Sequence, residues 1–249
     1  MQIFGRLWQK MEGVVARQAW GLAQDGPAWV LLGLTRQSAD LCCVHTLNVL
    51  VPPQGISVIH ASWLSQALVN APRPKFGPRY RLAMSVPAHA LAAGQMACPL
   101  DVPQQAWPSE VQLEVAQALS LPPEEVSFDF ESEASGAGMA GQIRWVGCAR
   151  SLVADYQNWI AAVQGWRLAL VEPEMDAARR GAQALVGGLP SLLQQAPQDW
   201  QFRWGSKVLP DLDGSSRDDV HWDGVLQEVL SAPVGARLVA SGLALKAWA

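Results

Sequence analysis

Hydrophobic and polar positions along this chain change period several times, and each change predicts an element. From Ile3 to Arg17, residues Ile3, Phe4, Leu7, Trp8, Met11, Val14 and Val15 fall on one helical stripe, with Arg6, Lys10 and Arg17 off it. That pattern predicts an amphipathic, basic helix. It suits an anionic membrane surface, and equally a docking face on its own domain or on a partner. From Ala19 the period shortens. Apolar runs at Ala19 to Ala23, Ala28 to Leu34 and Leu41 to Val51 are separated by Asp25-Gly26-Pro27 and by the polar stretch Thr35 to Asp40, which predicts a β-meander. Pro52-Pro53 ends it. Ser62 then caps a predicted helix with Trp63, Leu64, Ala67 and Leu68 on its apolar face, and Arg81 to Val86 reads as a short buried strand.

Past Pro99 the chain turns polar and proline-rich. Ser109-Glu110-Val111-Gln112 has the form of a capping box, opening a helix with Val111, Val115, Ala118 and Leu119 inward and Pro122-Pro123 as its stop. Val126 to Glu131 and Ile143 to Cys148 alternate, predicting two strands around a Ser/Gly-rich loop. A helix from Ser151 to Gly165, a strand at Leu168 to Val171 and a helix at Met175 to Leu185 follow. Leu189 to Trp200 reads as helical, Phe202 to Leu209 as a strand, Pro210 to His221 as an acidic loop, and Val225 to Leu230 and Leu238 to Trp248 as closing helices. Interleaved strands and helices define a mixed α/β class.

Composition narrows the function classes. With 50% hydrophobic and 16% charged residues the chain is globular, and its net charge of -4 gives no electrostatic reason for a nucleic-acid partner. No apolar run approaches the ~20 residues of a membrane span, and the N-terminus lacks a secretory signal pattern, so a cytoplasmic protein is expected. Cys42, Cys43, Cys98 and Cys148 have no metal spacing and sit in apolar runs, as buried free thiols do.

Candidate motifs fail on context. Gly136-Ala137-Gly138-Met139-Ala140-Gly141 matches G-x-G-x-x-G but runs into a strand, where a dinucleotide site needs a helix N-terminus. No P-loop and no nucleophile elbow occurs. His45, His60, His89 and His221 are scattered, and Asp211-Leu212-Asp213-Gly214 with Asp218 and Asp219 lacks the ligand alternation of a calcium loop. No catalytic residue and no metal site is predicted. The 12 tryptophans lie mostly on apolar faces, as core packing requires.

Several blocks, in order, carry a resemblance. Arg81-Leu82-Ala83-Met84-Ser85-Val86-Pro87, the helix Glu110 to Leu119, Pro123 to Glu131, Val146 to Tyr156 and Leu168 to Glu174 resemble the central part of the PilM family, the actin-like proteins of type IV pilus assembly. Leu238 to Leu245 resembles that family's closing segment, in which a glycine opens the last helix. The resemblance implies an actin-like (ribonuclease H-like, FtsA-like) fold with an inserted strand-helix-strand-strand (SHS2-like) subdomain. The corresponding division is a helix at 1–17, a first subdomain at 18–97, the insert at 98–165 and a reduced second subdomain at 166–249.

Two departures bear on chemistry. Where the family's first strand reads like Gly-Ile-Asp-Ile-Gly-Ser, this chain has Gly21-Leu22-Ala23-Gln24-Asp25-Gly26. Ala23 replaces the acid that would help hold Mg²⁺, and Pro27 with Trp29 makes a poor phosphate turn. Between Leu185 and Leu238 only about 50 residues remain for a second phosphate hairpin and an adenosine loop. Gly21, Ala23, Asp25 and Glu172 are then the remnant of a nucleotide site, and no cofactor is expected.

The resemblance implies a non-enzymatic scaffold at the inner membrane. It would bind the cytoplasmic N-terminal tail of a PilN-like protein in a groove lined from around Val86, Pro87 and Ala88 and from Val126, Phe128 and Phe130, by pockets and backbone pairing. Phe4, Arg6, Leu7, Trp8 and Lys10 of the first helix would rest on the membrane surface. Two alternatives stay open: an ATPase with phosphate and magnesium contacts rebuilt from Asp25, Glu172 and Glu174, and an α/β interaction module unrelated to pili.

Overall fold

The computed structural model describes residues 18–53, 62–71, 80–99, 102–133, 141–204 and 218–248. The N-terminal helix with Phe4, Arg6, Leu7, Trp8 and Lys10, the glycine-rich loop at 134–140 and most of the acidic loop lie outside the described residues. The described chain divides into a smaller unit, 88–155, and a larger one made of the residues before and after it.

In the larger unit the apolar runs form the expected meander, β1 (Gln18–Asp25), β2 (Ala28–Arg36) and β3 (Leu41–Leu50), paired antiparallel in sequence. Gly26 takes φ 56° in the β1–β2 turn, a conformation that side chains rarely adopt. On the other side of β1 lies β4 (Tyr80–Val86), parallel to it, and β8 (Trp166–Pro173) extends the sheet in parallel beyond β4. A three-residue strand, β9 (Gln201–Arg203), closes the far edge against Leu41–Cys43. The strand order is β8-β4-β1-β2-β3-β9.

Alternation sends the two faces of β1 to different partners. Ala19, Gly21 and Ala23 face the helices α4 (Glu174–Ala184) and α7 (Gly235–Ala247), within a core that includes Val30, Leu32, Leu34, Ala83 and Leu238. Trp20 faces the opposite way, edge-on to His45, Tyr80 and Trp166 at centroid distances of 4.9, 5.8 and 5.2 Å. On that second side Trp29 meets Tyr156 and Trp159 of α3 (Arg150–Ala161), and Ser65 of α1 (Ser62–Asn70) donates to the Trp159 carbonyl at 3.0 Å.

The first face owes its tightness to glycines. A Cβ at Gly21 would overlap the Ala240 carbonyl, and one at Gly242 would overlap the Ala177 carbonyl. Gly242 therefore sits inside α7, packed against the backbone of α4, and does not open the last helix as the resemblance implied.

The smaller unit holds a three-stranded antiparallel sheet of order β5-β7-β6, from β5 (Leu91–Ala97), β6 (Val126–Glu133) and β7 (Gln142–Ala149). Helix α2 (Trp107–Leu119) covers one face with Val111, Val115 and Ala116 against Val126, Ile143 and Trp145. This helix starts before the expected capping box. Pro108 occupies its first turn, and Ala106 at the N-cap makes no side-chain cap bond.

Three further expectations change. Strand β5 was not anticipated, because Leu-Ala-Ala-Gly-Gln-Met-Ala has neither β-branched residues nor clear alternation. It belongs to the smaller sheet, so the boundaries 18–97 and 98–165 fall too late at both ends. The stretch expected to be one helix from Leu189 is α5 (Gly188–Gln194) followed by a turn at Pro197, and α6 (Asp218–Ser231) begins inside the expected acidic loop. Most consequentially, the described residues of 166–249 do not build a second lobe: β8 and β9 complete the two edges of the first sheet, and α4 and α7 cover its face.

Candidate functional site

Strands β1, β4 and β8 run parallel, so their carboxyl ends lie together, the usual place for a ligand in an open α/β sheet. Gly21 pairs with Ala83 and Ser85 with Glu172. One side-chain repeat beyond Gly21, the residues Ala23, Ser85 and Glu172 share the face covered by α4 and α7, and all three are buried. This row contains Ala23 and Glu172 of the predicted remnant, with Asp25 half-buried at the end of β1 beside the turn.

Glu172 is the one carboxylate in the row, and its oxygens are taken. Arg180 of α4 grips it through both terminal nitrogens, with Nη2 at 2.8 Å from Oε2, while Nη1 also donates to the Gly242 carbonyl at 3.0 Å. Lys246 of α7 places Nζ 3.2 Å from Glu172 Oε2. One buried carboxylate thus ties β8, α4 and α7 together. Asp176, one turn before Arg180, pairs with Arg179 at 3.6 Å. Partial withdrawal from water raises its carboxyl above the usual range, and Glu172 pushes the same way against the nearby cations.

Two of the four remnant residues therefore serve packing. Gly21 admits the α7 backbone, and Ala23 is 1% exposed within the hydrophobic core. A nucleotide and its magnesium do not fit these residues: the acid is missing, the glycine is covered and Glu172 is ion-paired. Glu174 begins α4. Among the described residues no group of three or more His, Cys, Asp or Glu side chains could hold a metal. Arg180 and Lys246 were not singled out from the sequence, and Gly242 was expected only as the opening glycine of the last helix. Their spacing carries no motif, and only the fold brings them to Glu172.

The residues expected to line a partner groove are distributed over both units. Val86 and Pro87, at the end of β4, are buried, and Ala88 is exposed. Val126 is 1% exposed and belongs to the core under α2, and Phe128 and Phe130 are half-buried against that same core. They alternate with the exposed Asp129 and Glu131. The apolar side chains of β6 thus pack within the smaller unit, which removes Val126 as a contact residue.

Other sequence candidates resolve as structure. Cys42 and Cys148 are buried free thiols, and Cys43 and Cys98 are free and half-buried. Burial pushes the Cys42 thiol up to about 12. His45 sits where β3 slips register against β2, its Nδ1 2.6 Å from Thr46 Oγ1, with burial lowering its pKa. Arg36 stacks over Trp204 at 3.4 Å, beside Trp248. Two surface depressions among the described residues, of about 400 and 450 Å³, bring together no convergent set of catalytic groups. No single described helix is long and apolar enough to cross a membrane.

No protein-family profile and no curated protein matches this chain. Solved structures do. A chain of the PilM-PilN type IV pilus biogenesis complex is similar with a TM-score of 0.52 at 17% identity, over 67% of this chain and 53% of that one. The cytoplasmic domain of EpsL, an inner-membrane component of the type II secretion system of Vibrio cholerae, is similar with a TM-score of 0.47 at 12% identity, over 64% of this chain and 58% of that domain. This chain therefore spans little more than half of either. With its 3-2-1-4-8 run of strands around β1 and the helices on both faces, the protein has the actin-like fold of the PilM-PilN complex chain.

Proposed function

We propose that this protein is a non-enzymatic scaffold of type IV pilus assembly or a related secretion machine, a PilM-like protein that binds the cytoplasmic tail of a PilN-like inner-membrane partner. The observation that carries the reading is the ion-paired Glu172 beside the buried Ala23, in an actin-like fold similar to a chain of the PilM-PilN complex. Ala23 buried under α7 and Glu172 ion-paired to Arg180 and Lys246 support a binding surface over a nucleotide site. An extended tail gains affinity from strand pairing and side-chain pockets, with no reacting group required.

The basic residues and Trp8 of the first predicted helix support a peripheral position at the inner membrane. Removing residues 1–17 is expected to reduce sedimentation with anionic liposomes, and unchanged sedimentation would remove that part of the reading.

The direct test is a titration read by tryptophan fluorescence and melting temperature. A ligand of the folded state at 100 times its Kd stabilises by about 2.7 kcal/mol, a readily measured shift. No shift is expected with Mg-ATP to millimolar concentration, and saturable binding is expected with a peptide of a PilN N-terminal tail. A magnesium-dependent shift with ATP would overturn the non-enzymatic reading, and absence of tail binding would overturn the partner.

A further inference from the structure

Among the described residues no strand pairs with the outer edge of either outer strand of the smaller sheet, yet only one of the two edges is protected. On β6 the exposed positions include Asp129 and Glu131, and Asp129 Oδ1 accepts the backbone N–H of Phe130 at 2.9 Å, so a carboxylate already occupies a main-chain donor. Charged side chains of this kind are how sheets discourage a further strand. On β5 the sequence Leu-Ala-Ala-Gly-Gln-Met-Ala has no charge, no proline and no β-bulge, and all seven residues pair in continuous register with β7. Ala93, Gln95 and Ala97 are exposed, and no described strand pairs with the outer side of β5. The small side chains leave room for a neighbour, since Ala92 and Gly94 project little beyond the backbone and Gly94 lies over the Trp145 ring. A bare, uncharged edge of this length is a template for strand addition.

Charge selects what adds to it. Residues 88–155 contain Asp101, Glu110, Glu114, Glu124, Glu125, Asp129, Glu131, Glu133 and Asp155 against only Arg144 and Arg150, while the chain as a whole is nearly balanced at -4. Two such units would repel each other, which disfavours a second copy pairing β5 to β5. A cationic segment would be drawn to the same unit.

We propose that the outer edge of β5, Leu91–Ala97, receives an extended basic segment of another protein as a fourth strand. Its main chain pairs with β5, its residues on the open face lie beside Ala93, Gln95 and Ala97, and its Lys and Arg side chains are held by the field of the acidic unit. The assignment stands on the sheet and its charge alone, and holds whether or not the pilus reading does.

The test uses the full chain and a fluorescein-labelled peptide alternating Val with Lys and Arg, with a Val/Glu peptide as control. Saturable binding of the basic peptide is expected, weakened about tenfold or more as salt rises from ~50 to ~300 mM and shortens the screening length. Amide exchange is expected to slow across Leu91–Ala97. The paired substitutions Ala93→Lys and Ala97→Lys are expected to abolish binding without lowering the melting temperature. Gln95→Lys alone serves as a milder version if the pair unfolds the unit. Equal binding of the acidic peptide, slowed exchange confined to other strands, or a dimer in sedimentation with β5 protected in the absence of peptide would each overturn the proposal.

Discussion

The two sheets solve the problem of covering a β-surface differently. The six-stranded sheet has helices on both faces, glycines that let α7 approach the backbone of β1 and α4, and a buried carboxylate held by two cations. The three-stranded sheet has α2 over one face, and on the other the described side chains Ala93, Gln95, Ala97, Gln142, Arg144, Asp129 and Glu131 are exposed. In the first, the row at the strands' carboxyl ends, Ala23, Ser85 and Glu172, is buried. In the second, the outer main-chain groups of β5 have no partner strand among the described residues. The difference separates a part of the molecule that supplies stability from a part that can supply contacts.

The largest expected effect comes from breaking the buried ion cluster. Arg180→Ala leaves Glu172, 6% exposed, without its bidentate partner, and urea unfolding should show a loss of about 3–5 kcal/mol. The double replacement Glu172→Gln with Arg180→Met should recover much of that loss, because no unpaired charge then remains. Next comes the aliphatic face: Leu32 is fully buried, and Leu32→Ala should cost about 2–5 kcal/mol. Gly242→Ala places a methyl against the Ala177 carbonyl and should cost roughly 1–3 kcal/mol, since backbone on both sides limits relaxation. Gln95→Ala on the open face of the smaller sheet should change stability by no more than about 0.5 kcal/mol, and a larger loss would mean that this face is covered.

A chemical probe sharpens the same contrast. Folding raises the Cys42 thiol to about 12, so at pH 8 its thiolate is scarce and its sulfur is also buried. An aromatic disulfide reagent should leave Cys42 unmodified in the native protein while modifying the half-buried Cys98. The sign follows from linkage: a pKa raised on folding means the fold favours the protonated thiol. Any stability Cys42 confers is complete below the unfolded value and declines as pH rises toward about 12.

Much of this fold was legible in the sequence. The meander β1–β2–β3 announced itself through Val- and Leu-rich runs broken by Asp25-Gly26-Pro27 and the stretch before Leu41, and α1, α3, α4 and α7 through helical stripes. Strand β5 was hidden because alanine and glycine give no periodic signal, and with it went the true start of the smaller unit. The expected second subdomain failed for another reason. Sequence order suggests that late elements build a separate body, but β8 adds in parallel to β4 and α7 returns to β1, pairings set by tertiary contact alone. At the candidate site the loss of the acid at Ala23 could be read directly, whereas Glu172 looked available until Arg180 and Lys246 were placed beside it.

The contact of Gly21 with Ala240 also sets an order for folding. The central strand of the larger sheet is among the first elements of the described chain, and the helix that fills its face is the last. Contacts so distant in sequence form slowly, because a long loop must close before they repay its entropy. The described residues of the smaller unit come from one stretch, 88–155, and their pairing needs no such closure. During synthesis it can acquire its sheet while the apolar face of β1 still waits for α7, and that interval is when the larger unit is most exposed to aggregation.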